Sequence, residues 1–337
     1  MYRLWLTHVL MLSFTFTPAL AQTTLRVANW LPPVHPIVAD MVVPWAKAVE
    51  VATEGRVTVE IMEASLGKPP AHFDIAREGI ADVTFGVHGY TPGRFVLTQI
   101  AELPFLGASA EALSVAYWRT HEAMLAGADE HQGVKLLGLF THGPGHIFNA
   151  QREILSLKDA AGLKMRVGGG IVNEVAQQLG VVPVQAPSTQ TYDLLFAGVA
   201  DGILFPAESV PFFKLDEVLG WGTLIPQGLY NTSFFLMMNQ DTWESLPAED
   251  QDAIMAISGE SFARLAGRAW DAADARGMEA MKEAGMILTT ADEALLADIH
   301  EAVAPVEADW IQRAGERGVD AAAALEMLRA EVAGYQP

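Results

Sequence analysis

Residues 162–175, GLKMRVGGGIVNEV, place one arginine and three consecutive glycines between two regular segments. The segment LKMRV (163–167) is predicted as a strand, and a helix is predicted near residues 172–179. Arg166 ends the apolar stretch and needs an anionic partner, while the glycines at 168–170 let another group come close to the backbone. Three explanations are open at this point: a phosphate loop, a salt bridge between two domains, or a ligand site.

The same alternation of strands and helices runs through most of the chain. Helices are predicted at residues 37–55, 71–79, 111–125, 172–179 and 189–197. Further strands are predicted at TLRVANW (24–30), RVTVEIME (56–63), ADVTFGV (81–87), VKLLGLF (134–140), HIFNA (146–150), VPVQA (182–186), GILF (202–205) and TSFFLMMN (232–239). This alternation predicts an α/β protein with open, mostly parallel sheets.

The C-terminal third has a different pattern. Residues 247–284 are predicted as one long helix, because apolar residues such as Met255, Phe262 and Ala266 recur at helical spacing. A helix of this length exceeds one small α/β domain, so we expect it to span two lobes. MILTT (286–290) is a further candidate strand, and two helices finish the chain. Because no clean linker is visible, we expect lobe I at residues 22–145 and lobe II at 146–231, each completed by part of 232–337.

The N-terminus has the pattern of a signal peptide over residues 1–21. Arg3 precedes an apolar run, and Ala19 and Ala21 frame a small-x-small cleavage site. An uncleaved anchor is the less favoured alternative, because the apolar run is short and interrupted. The chain contains no cysteine, which excludes disulfides and thiolate chemistry. We therefore expect an exported, periplasmic protein that is not inserted in the membrane after cleavage.

The charge balance narrows the possible partners. The formal net charge is −20, and loss of Arg3 with the leader makes it −21. A polyanion has no electrostatic reason to bind nucleic acid or an anionic membrane surface. If the ligand is an anion, its positive counterpart must be built locally, which makes Arg166 more informative.

Sequence motifs of common enzymes are absent. The chain lacks GxxxxGK[ST], GxGxxG, GxSxG, HExxH and EF-hand patterns, so the phosphate loop is excluded. We predict no enzyme activity, no cofactor and no resident metal. Zinc held by His35, His88, His142 and His146 is conceivable, but ordinary polar roles are favoured. For Arg166, a salt bridge and a ligand carboxylate remain equally open on chemistry alone.

Three segments together resemble the solute-binding proteins of TRAP transporters, the DctP family. They are the D-x-x-G-x-K-x-R run at 159–166, the helix end at Leu179 and Gly180 with Pro183, and the segment from Tyr192 to Gly202. GRVTVEI (55–61), SLG (65–67) and ELPF (102–105) also match. The resemblance implies a two-lobe binding protein with a hinge. It would close around a small organic acid and deliver it to a sodium-driven membrane permease.

The resemblance also implies roles for individual residues. The family's arginine that pairs with the ligand carboxylate falls on Arg166, and its first-loop asparagine falls on Asn29, beside Trp30. His146 takes the place of a second arginine found in some sialic-acid binders. Leu204 replaces the acidic residue that 2-oxoacid binders use for a bound metal ion, and Phe205 follows it.

These departures predict a single carboxylate anchor in a pocket rich in aromatic surface. Candidate walls are Trp30, Tyr90, Phe148, Phe205 and Phe212, and candidate neutral donors are His88, His146 and Asn231. Gly168 and Gly169 would enlarge the pocket or expose backbone to the ligand. A small organic anion is predicted, with a monocarboxylate favoured and an apolar or aromatic body indicated by Phe205. The alternatives are an ABC-type binding protein for another anion or a metal, and a periplasmic enzyme on the same scaffold.

Overall fold

The computed structural model describes residues 22–336, so the predicted signal peptide lies outside the described residues. Strands in this part of the chain are β1 (Thr23–Ala28), β2 (Val57–Ile61), β3 (Val83–Val87), β4 (Val134–Thr141), β5 (His146–Asn149), β6 (Lys164–Val167), β7 (Val182–Gln185), β8 (Gly202–Phe205), β9 (Trp221–Leu224), β10 (Ser233–Asn239) and β11 (Ile287–Thr290). The short strand β9 has no counterpart among the sequence predictions.

The strands form two separate sheets. One has the order β2-β1-β3-β10-β4 and the other the order β11-β9-β5-β8-β6-β7. Of the nine strand pairs within residues 22–336, five are parallel and four antiparallel. The predicted two-lobe α/β class is confirmed. The sheets are mixed because β10 returns from the C-terminal third into the first sheet and β5 runs against both of its neighbours.

Helices cover the faces of both sheets. They are α1 (Val43–Ala52), α2 (His72–Arg77), α3 (Ala110–Thr120), α4 (Leu157–Ala160), α5 (Ile171–Gln178), α6 (Thr191–Phe196), α7 (Ser209–Phe212), α8 (Gln240–Ser245), α9 (Ala248–Ala256), α10 (Gly259–Glu283), α11 (Glu293–Gly315) and α12 (Ala321–Gly334). A π-helical segment, Ile37–Val42, precedes α1, and 3₁₀ turns such as His88–Tyr90 and Leu97–Glu102 fill several connections.

The prediction of one continuous helix over residues 247–284 is wrong. The helix is broken between α9 and α10, where Ser258 and Gly259 pack against two tryptophans of the first lobe. The indole Nε1 of Trp45 donates to Ser258 Oγ at 3.0 Å. Gly259 has φ +55°, and a Cβ on it would lie 2.9 Å from the Trp118 ring. The left-handed backbone of this glycine ends α9 and lets α10 start in a new direction.

Helix α10 nevertheless joins the two lobes as predicted. Its 25 residues correspond to a length of about 37 Å. A Cβ on Gly267 would lie 2.3 Å from Glu111 Cα of α3, beside the first sheet. A Cβ on Gly277 would lie 2.5 Å from the Ala207 carbonyl oxygen, just after β8 of the second sheet. The helix thus approaches the backbone of both lobes closely enough that only glycine fits.

Replacing Gly267 with alanine tests this close approach. Glycine-to-alanine changes inside a helix normally stabilise it by about 1 kcal/mol. Here the added methyl group meets backbone atoms of α3, so we expect Gly267→Ala to destabilise the protein by about 1–3 kcal/mol. Gly315 of α11 is the matched control, because a Cβ there has no neighbour within 4 Å. Urea unfolding should show the loss only for Gly267→Ala; equal stability of both variants would contradict the proposed contact.

Seven of the eight histidines within residues 22–336 are buried in the fold. Burial lowers the pKa of His35 and His88 to about 3 and that of His72, His121, His142 and His146 to about 4. Burial also lowers the pKa of His131 well below its usual value. These imidazoles are therefore neutral in the folded protein at any pH near neutrality. In the unfolded chain the same imidazoles take up protons once the pH falls below their ordinary pKa of about 6.5.

This difference predicts acid sensitivity. The stability that a neutral buried histidine contributes is present above pH 6.5 and is lost as the pH falls towards its lowered pKa. Buried carboxyl groups with a raised pKa have the opposite effect, because they stabilise the protein as the pH falls. Burial raises the pKa of Glu102 and Asp274 to about 7 and that of Glu208 to about 8. Because the histidines outnumber these carboxyls, we expect Tm to fall between pH 7 and pH 5. Thermal melts in buffers of matched ionic strength test this; a constant or rising Tm would contradict it.

Candidate functional site

A cavity lies between the two lobes. Its walls come from residues at the carboxyl ends of parallel strands, namely Trp30 after β1, Tyr90 after β3, Arg166 and Gly168 at the end of β6, and Phe205 at the end of β8. The remaining lining residues are His35, Ile37, Val87, His142, Ser188, Pro206, Ser209, Phe213, Tyr230, Thr232, Phe234 and Trp270. Open α/β sheets hold ligands at this edge, so the topology itself favours a binding site here.

Arg166 is the cationic group of this cavity. It lies within β6, flanked by Val184 of β7 and Ile203 of β8, and only 1% of it is exposed. Its Nε and Nη2 donate to the Ala186 carbonyl oxygen at 2.9 and 2.5 Å. The guanidinium carbon lies 4.5 Å from the centroid of the Phe205 ring. Backbone and aromatic contacts therefore fix the arginine in one orientation.

No carboxylate of residues 22–336 lies within 4 Å of the Arg166 nitrogens. The salt-bridge explanation is therefore not supported by the described residues. Burial lowers the pKa of Arg166, and the neighbouring Tyr90 and Tyr230 partly oppose that shift. A buried cation without an anion is costly, so an anion entering the cavity would find strong compensation.

Trp30 and Tyr90 form the wall from the first lobe. Trp30 Nε1 donates to the Phe85 carbonyl oxygen at 3.1 Å, and the Trp30 and Tyr90 rings meet edge to face at 6.0 Å. The Tyr90 hydroxyl accepts a hydrogen bond from the Ser188 backbone N–H of the second lobe at 2.9 Å. Of the residues predicted to bind ligand, Arg166, Trp30 and Phe205 are brought together on this cavity.

The two asparagines predicted to bind ligand, Asn29 and Asn231, are not among the residues that line this cavity. The Asn29 side chain donates to the Leu31 carbonyl oxygen at 2.8 Å and accepts from the Leu31 N–H at 2.9 Å. The Asn231 amide donates to the carbonyl oxygens of His142 and Gly143 at 2.8 and 2.9 Å. Because both amides bond the backbone, they hold the loops that carry Trp30 and His142.

His88, His146 and Phe148, also predicted to bind ligand, are not among the residues that line this cavity. The ring nitrogens of His88 contact Ser233 Oγ at 3.0 Å and His131 Nε2 at 2.9 Å, on the other side of β3. His146 Nδ1 accepts from the Ile225 N–H at 3.1 Å. His146 and Phe148 are two residues apart on β5 and therefore share one sheet face. Phe148 is fully buried in the core of the second lobe.

The three glycines of residues 162–175 have different roles. Gly168 lines the cavity, and a Cβ on it would make only ordinary contacts with Tyr90 and Arg166, at 3.7 and 3.8 Å. Gly169 does not line the cavity. It has φ +88°, and a Cβ there would lie 2.3 Å from the Gly89 carbonyl oxygen. Gly169 is thus a point where the backbones of the two lobes meet.

Glu102 makes a further contact between the lobes that the sequence did not predict. Its Oε2 accepts from the Ile171 N–H at 3.0 Å, at the start of α5. Its Oε1 accepts from the Ser233 hydroxyl at 2.6 Å. A carboxyl group at a helix N-terminus is favourably placed, although burial raises the pKa of Glu102 to about 7. The ELPF segment offered no signal for this contact, because Ile171 is distant in sequence.

Trp270, Phe213 and Ser209 were also missed as cavity residues. Trp270 continues the apolar stripe of α10, four residues after Ala266, so helical spacing was the available signal. Within residues 22–336, no group of three or more His, Asp or Glu side chains is placed to hold a metal ion. None of the helices in that range has both the length and the apolar content needed to cross a bilayer.

Residues 27–313 match the sequence model of the family described as bacterial extracellular solute-binding protein, family 7, or DctP. The chain belongs to this family. The resemblance noted from the sequence is therefore confirmed.

Three solved structures share the fold and much of the sequence. A TRAP periplasmic solute-binding protein from Bordetella bronchiseptica with bound (R)- and (S)-mandelate is 42% identical, with TM-score 0.90, covering 92% of this chain and 99% of that one. A marine metagenome TRAP protein specific for aromatic acid ligands, in complex with metahydroxyphenylacetate, is 33% identical, with TM-score 0.87 and coverage of 94% and 100%. A protein from Rhodoferax ferrireducens T118 with copurified benzoate is 30% identical, with TM-score 0.86 and coverage of 93% and 98%.

The contact between Gly89 and Gly169 predicts a way to block lobe closure. A Cβ on Gly89 would lie 2.7 Å from the Gly169 carbonyl oxygen, so Gly89→Ala should hold the lobes apart. We expect its ligand affinity to fall at least about tenfold while the unliganded protein keeps its Tm, because the clash arises only when the lobes meet. Gly127→Ala, with no neighbour within 4 Å of its Cβ, is the control. Titration calorimetry decides, and unchanged affinity of Gly89→Ala would show that this contact is not required.

Proposed function

We propose that this protein binds a small monocarboxylate with an aromatic body and delivers it, unchanged, to a TRAP membrane permease. The single observation that carries the proposal is the buried Arg166, which has no carboxylate partner among residues 22–336 and lies over the Phe205 ring. Such an arginine supplies a planar fork of donors for one carboxylate. The aromatic walls around it supply apolar surface for the rest of the ligand.

The donor arrangement of Arg166 supports a carboxylate ligand. A guanidinium group has five N–H donors, and two of its nitrogens already donate to Ala186. The donors not engaged there can be directed at a ligand. Hydrogen bonds between charged groups contribute about 1.5–3 kcal/mol each, so a bidentate contact would dominate the affinity for a small molecule.

The walls of the cavity support an aromatic body. Trp30, Tyr90, Phe205, Phe213 and Trp270 are placed to contact a ring, and aromatic pairs add about 0.5–1.5 kcal/mol beyond the burial of area. The related proteins from B. bronchiseptica and the marine metagenome hold mandelate and metahydroxyphenylacetate, which are both single-ring monocarboxylates. Leu204, at the position of the acidic residue of 2-oxoacid binders, is fully buried in the core, which supports binding without a metal ion.

We further propose that the ligand is held by closure of the two lobes. Lobe I would comprise residues 22–145 and lobe II residues 146–231, each completed by part of 232–337. Contacts across the cleft include Tyr90 to Ser188, Glu102 to Ile171 and Gly89 to Gly169. An anion bound to Arg166 would favour the closed form. Closure removes the cation from water, which is costly unless an anion compensates its charge.

The proposed cellular role follows from the family. Residues 1–21 would be removed on export, and the mature protein would work in the periplasm as the solute-binding partner of the permease. Binding without chemical change is supported by the family, whose members are solute-binding proteins. Mass spectrometry of the ligand after incubation separates this role from that of an enzyme on the same scaffold, since an enzyme would alter the mass.

Removing the cation tests the proposed function. Arg166→Met keeps an unbranched side chain but removes all carboxylate hydrogen bonds, so affinity for mandelate, benzoate or a hydroxyphenylacetate should fall at least about 100-fold. Arg152→Met is the control, because Arg152 is exposed and donates to Asp159 on the surface of lobe II. Titration calorimetry measures both variants. An Arg166→Met protein that binds within about twofold of the wild type would overturn the proposal.

A further inference from the structure

The cavity has a second polar region besides Arg166, at His35 and Ser209. The two regions are separated by aromatic rings: Arg166 lies over Phe205, the Phe205 and Phe213 rings are 6.1 Å apart, and the Phe213 and His35 rings are 6.0 Å apart. Glu208 lies directly beside both polar residues. Its Oε2 accepts from Ser209 Oγ at 2.7 Å, and its Oε1 lies 3.8 Å from His35 Nε2.

The hydrogen bonds of His35 fix the direction of its proton. The Ile37 N–H donates to His35 Nδ1 at 3.1 Å, so Nδ1 is the acceptor and the ring proton is on Nε2. Burial holds the pKa of His35 at about 3, which keeps the ring neutral. His35 therefore presents one N–H donor towards Glu208 Oε1. The 3.8 Å gap between these two atoms exceeds a hydrogen bond, but each lies within reach of a hydroxyl placed beside both.

Three buried polar atoms in this region have no protein partner within residues 22–336. They are Glu208 Oε1, Asp274 Oδ2 and Trp270 Nε1. Glu208 is 4% exposed and Trp270 is 2% exposed. Buried polar atoms are nearly always hydrogen-bonded, so this concentration of one donor and two acceptors needs an explanation. Trp270 and His35 both line the cavity and their rings are 6.1 Å apart.

The frame around these atoms is rigid. The Glu208 backbone N–H donates to Asp274 Oδ1 at 2.8 Å, and Gly277 of the same helix packs against Ala207 without room for a Cβ. Helix α10 therefore fixes the segment that carries Glu208 and Ser209. Rigid placement is what a polar group needs in order to discriminate between ligands.

We propose that His35, Glu208 and Trp270 form a specificity site that recognises a hydroxyl group on the aromatic ring of the ligand. This inference rests on the proposed function, since it assumes that Arg166 holds the carboxylate. A hydroxyl both accepts and donates, so it can take the N–H of His35 or Trp270 and give its proton to Glu208. The ligand class becomes a ring-hydroxylated aromatic monocarboxylate.

The chemistry of the region disfavours other ring substituents. Burial and the charge of Asp274 both raise the pKa of Glu208, so a second carboxylate at this end of the cavity would add unfavourable negative charge. An unsubstituted ring would leave the three buried atoms without partners, which is costly to affinity. A hydroxyl can satisfy Trp270 Nε1 and Glu208 Oε1 together, because it accepts the indole N–H and donates its single proton to the carboxyl oxygen.

Calorimetric titration of a matched ligand series tests the site. The ligands are phenylacetate, its 2-, 3- and 4-hydroxy derivatives, and the ring-carboxylated analogues. At least one hydroxy derivative should bind the wild type about tenfold or more tightly than phenylacetate, as one buried hydrogen bond requires. The carboxylated analogues should bind more weakly than phenylacetate.

Protein variants identify which residues cause the tighter binding of the hydroxy derivative. Glu208→Met removes the acceptor with little change in volume. Trp270→Phe removes the indole donor and keeps a smaller aromatic ring, so the second variant serves if the first fails to fold. Each should reduce the preference for the hydroxy derivative to within about threefold. Glu217→Met is the matched control, because Glu217 is an exposed carboxylate of the same lobe that contacts Tyr192; it should leave the preference unchanged.

The outcomes separate this inference from the proposed function. If phenylacetate and every hydroxy derivative bind the wild type within about twofold, or both variants retain the preference, the specificity site is wrong while the aromatic monocarboxylate function stands. If none of these acids binds, and mandelate and benzoate also fail, the proposed function itself is overturned together with the inference.

Discussion

A buried guanidinium group without a protein counter-ion is the constraint on which the rest of the structure depends. Arg166 is 1% exposed and is held by the Ala186 carbonyl oxygen and the Phe205 ring. In a protein whose formal charge is −20, acidic side chains are abundant, yet no carboxylate of residues 22–336 is placed beside this cation. Keeping the anion position open costs stability, and that cost is offset only when a ligand supplies the missing charge.

The fold places this cation where closure can act on it. The carboxyl ends of β1, β3, β6 and β8 meet at the cleft, so each lobe contributes one wall. Helix α10 holds the lobes together through close backbone contacts at Gly267 and Gly277. Across the cleft, backbone contact at Gly169 sets how near the lobes come. A rigid connection and a glycine contact thus define a cavity with one charged and one hydrogen-bonding region.

The sequence was sufficient for the fold class and for placing Arg166 in a strand, because both depend on local patterns. Alternating strands and helices predicted the sheets, and the run at 159–166 placed the arginine at a strand end. The sequence did not show the hydrogen bonds that Asn29, His88, His146 and Asn231 make within the protein, because it places a residue in a loop or strand without showing which partner its side chain binds. The break before α10 and the role of Gly169 depend on Trp118 and Gly89, which are distant in sequence.

We infer that Arg166 recognises the negative charge of the ligand rather than its shape. Titration calorimetry can compare the tightest-binding aromatic acid with its primary amide, because the two molecules have nearly the same size and differ in charge. We expect the amide to bind at least about 100-fold more weakly than the acid. An amide that binds within about threefold of the acid would show that Arg166 does not act through charge.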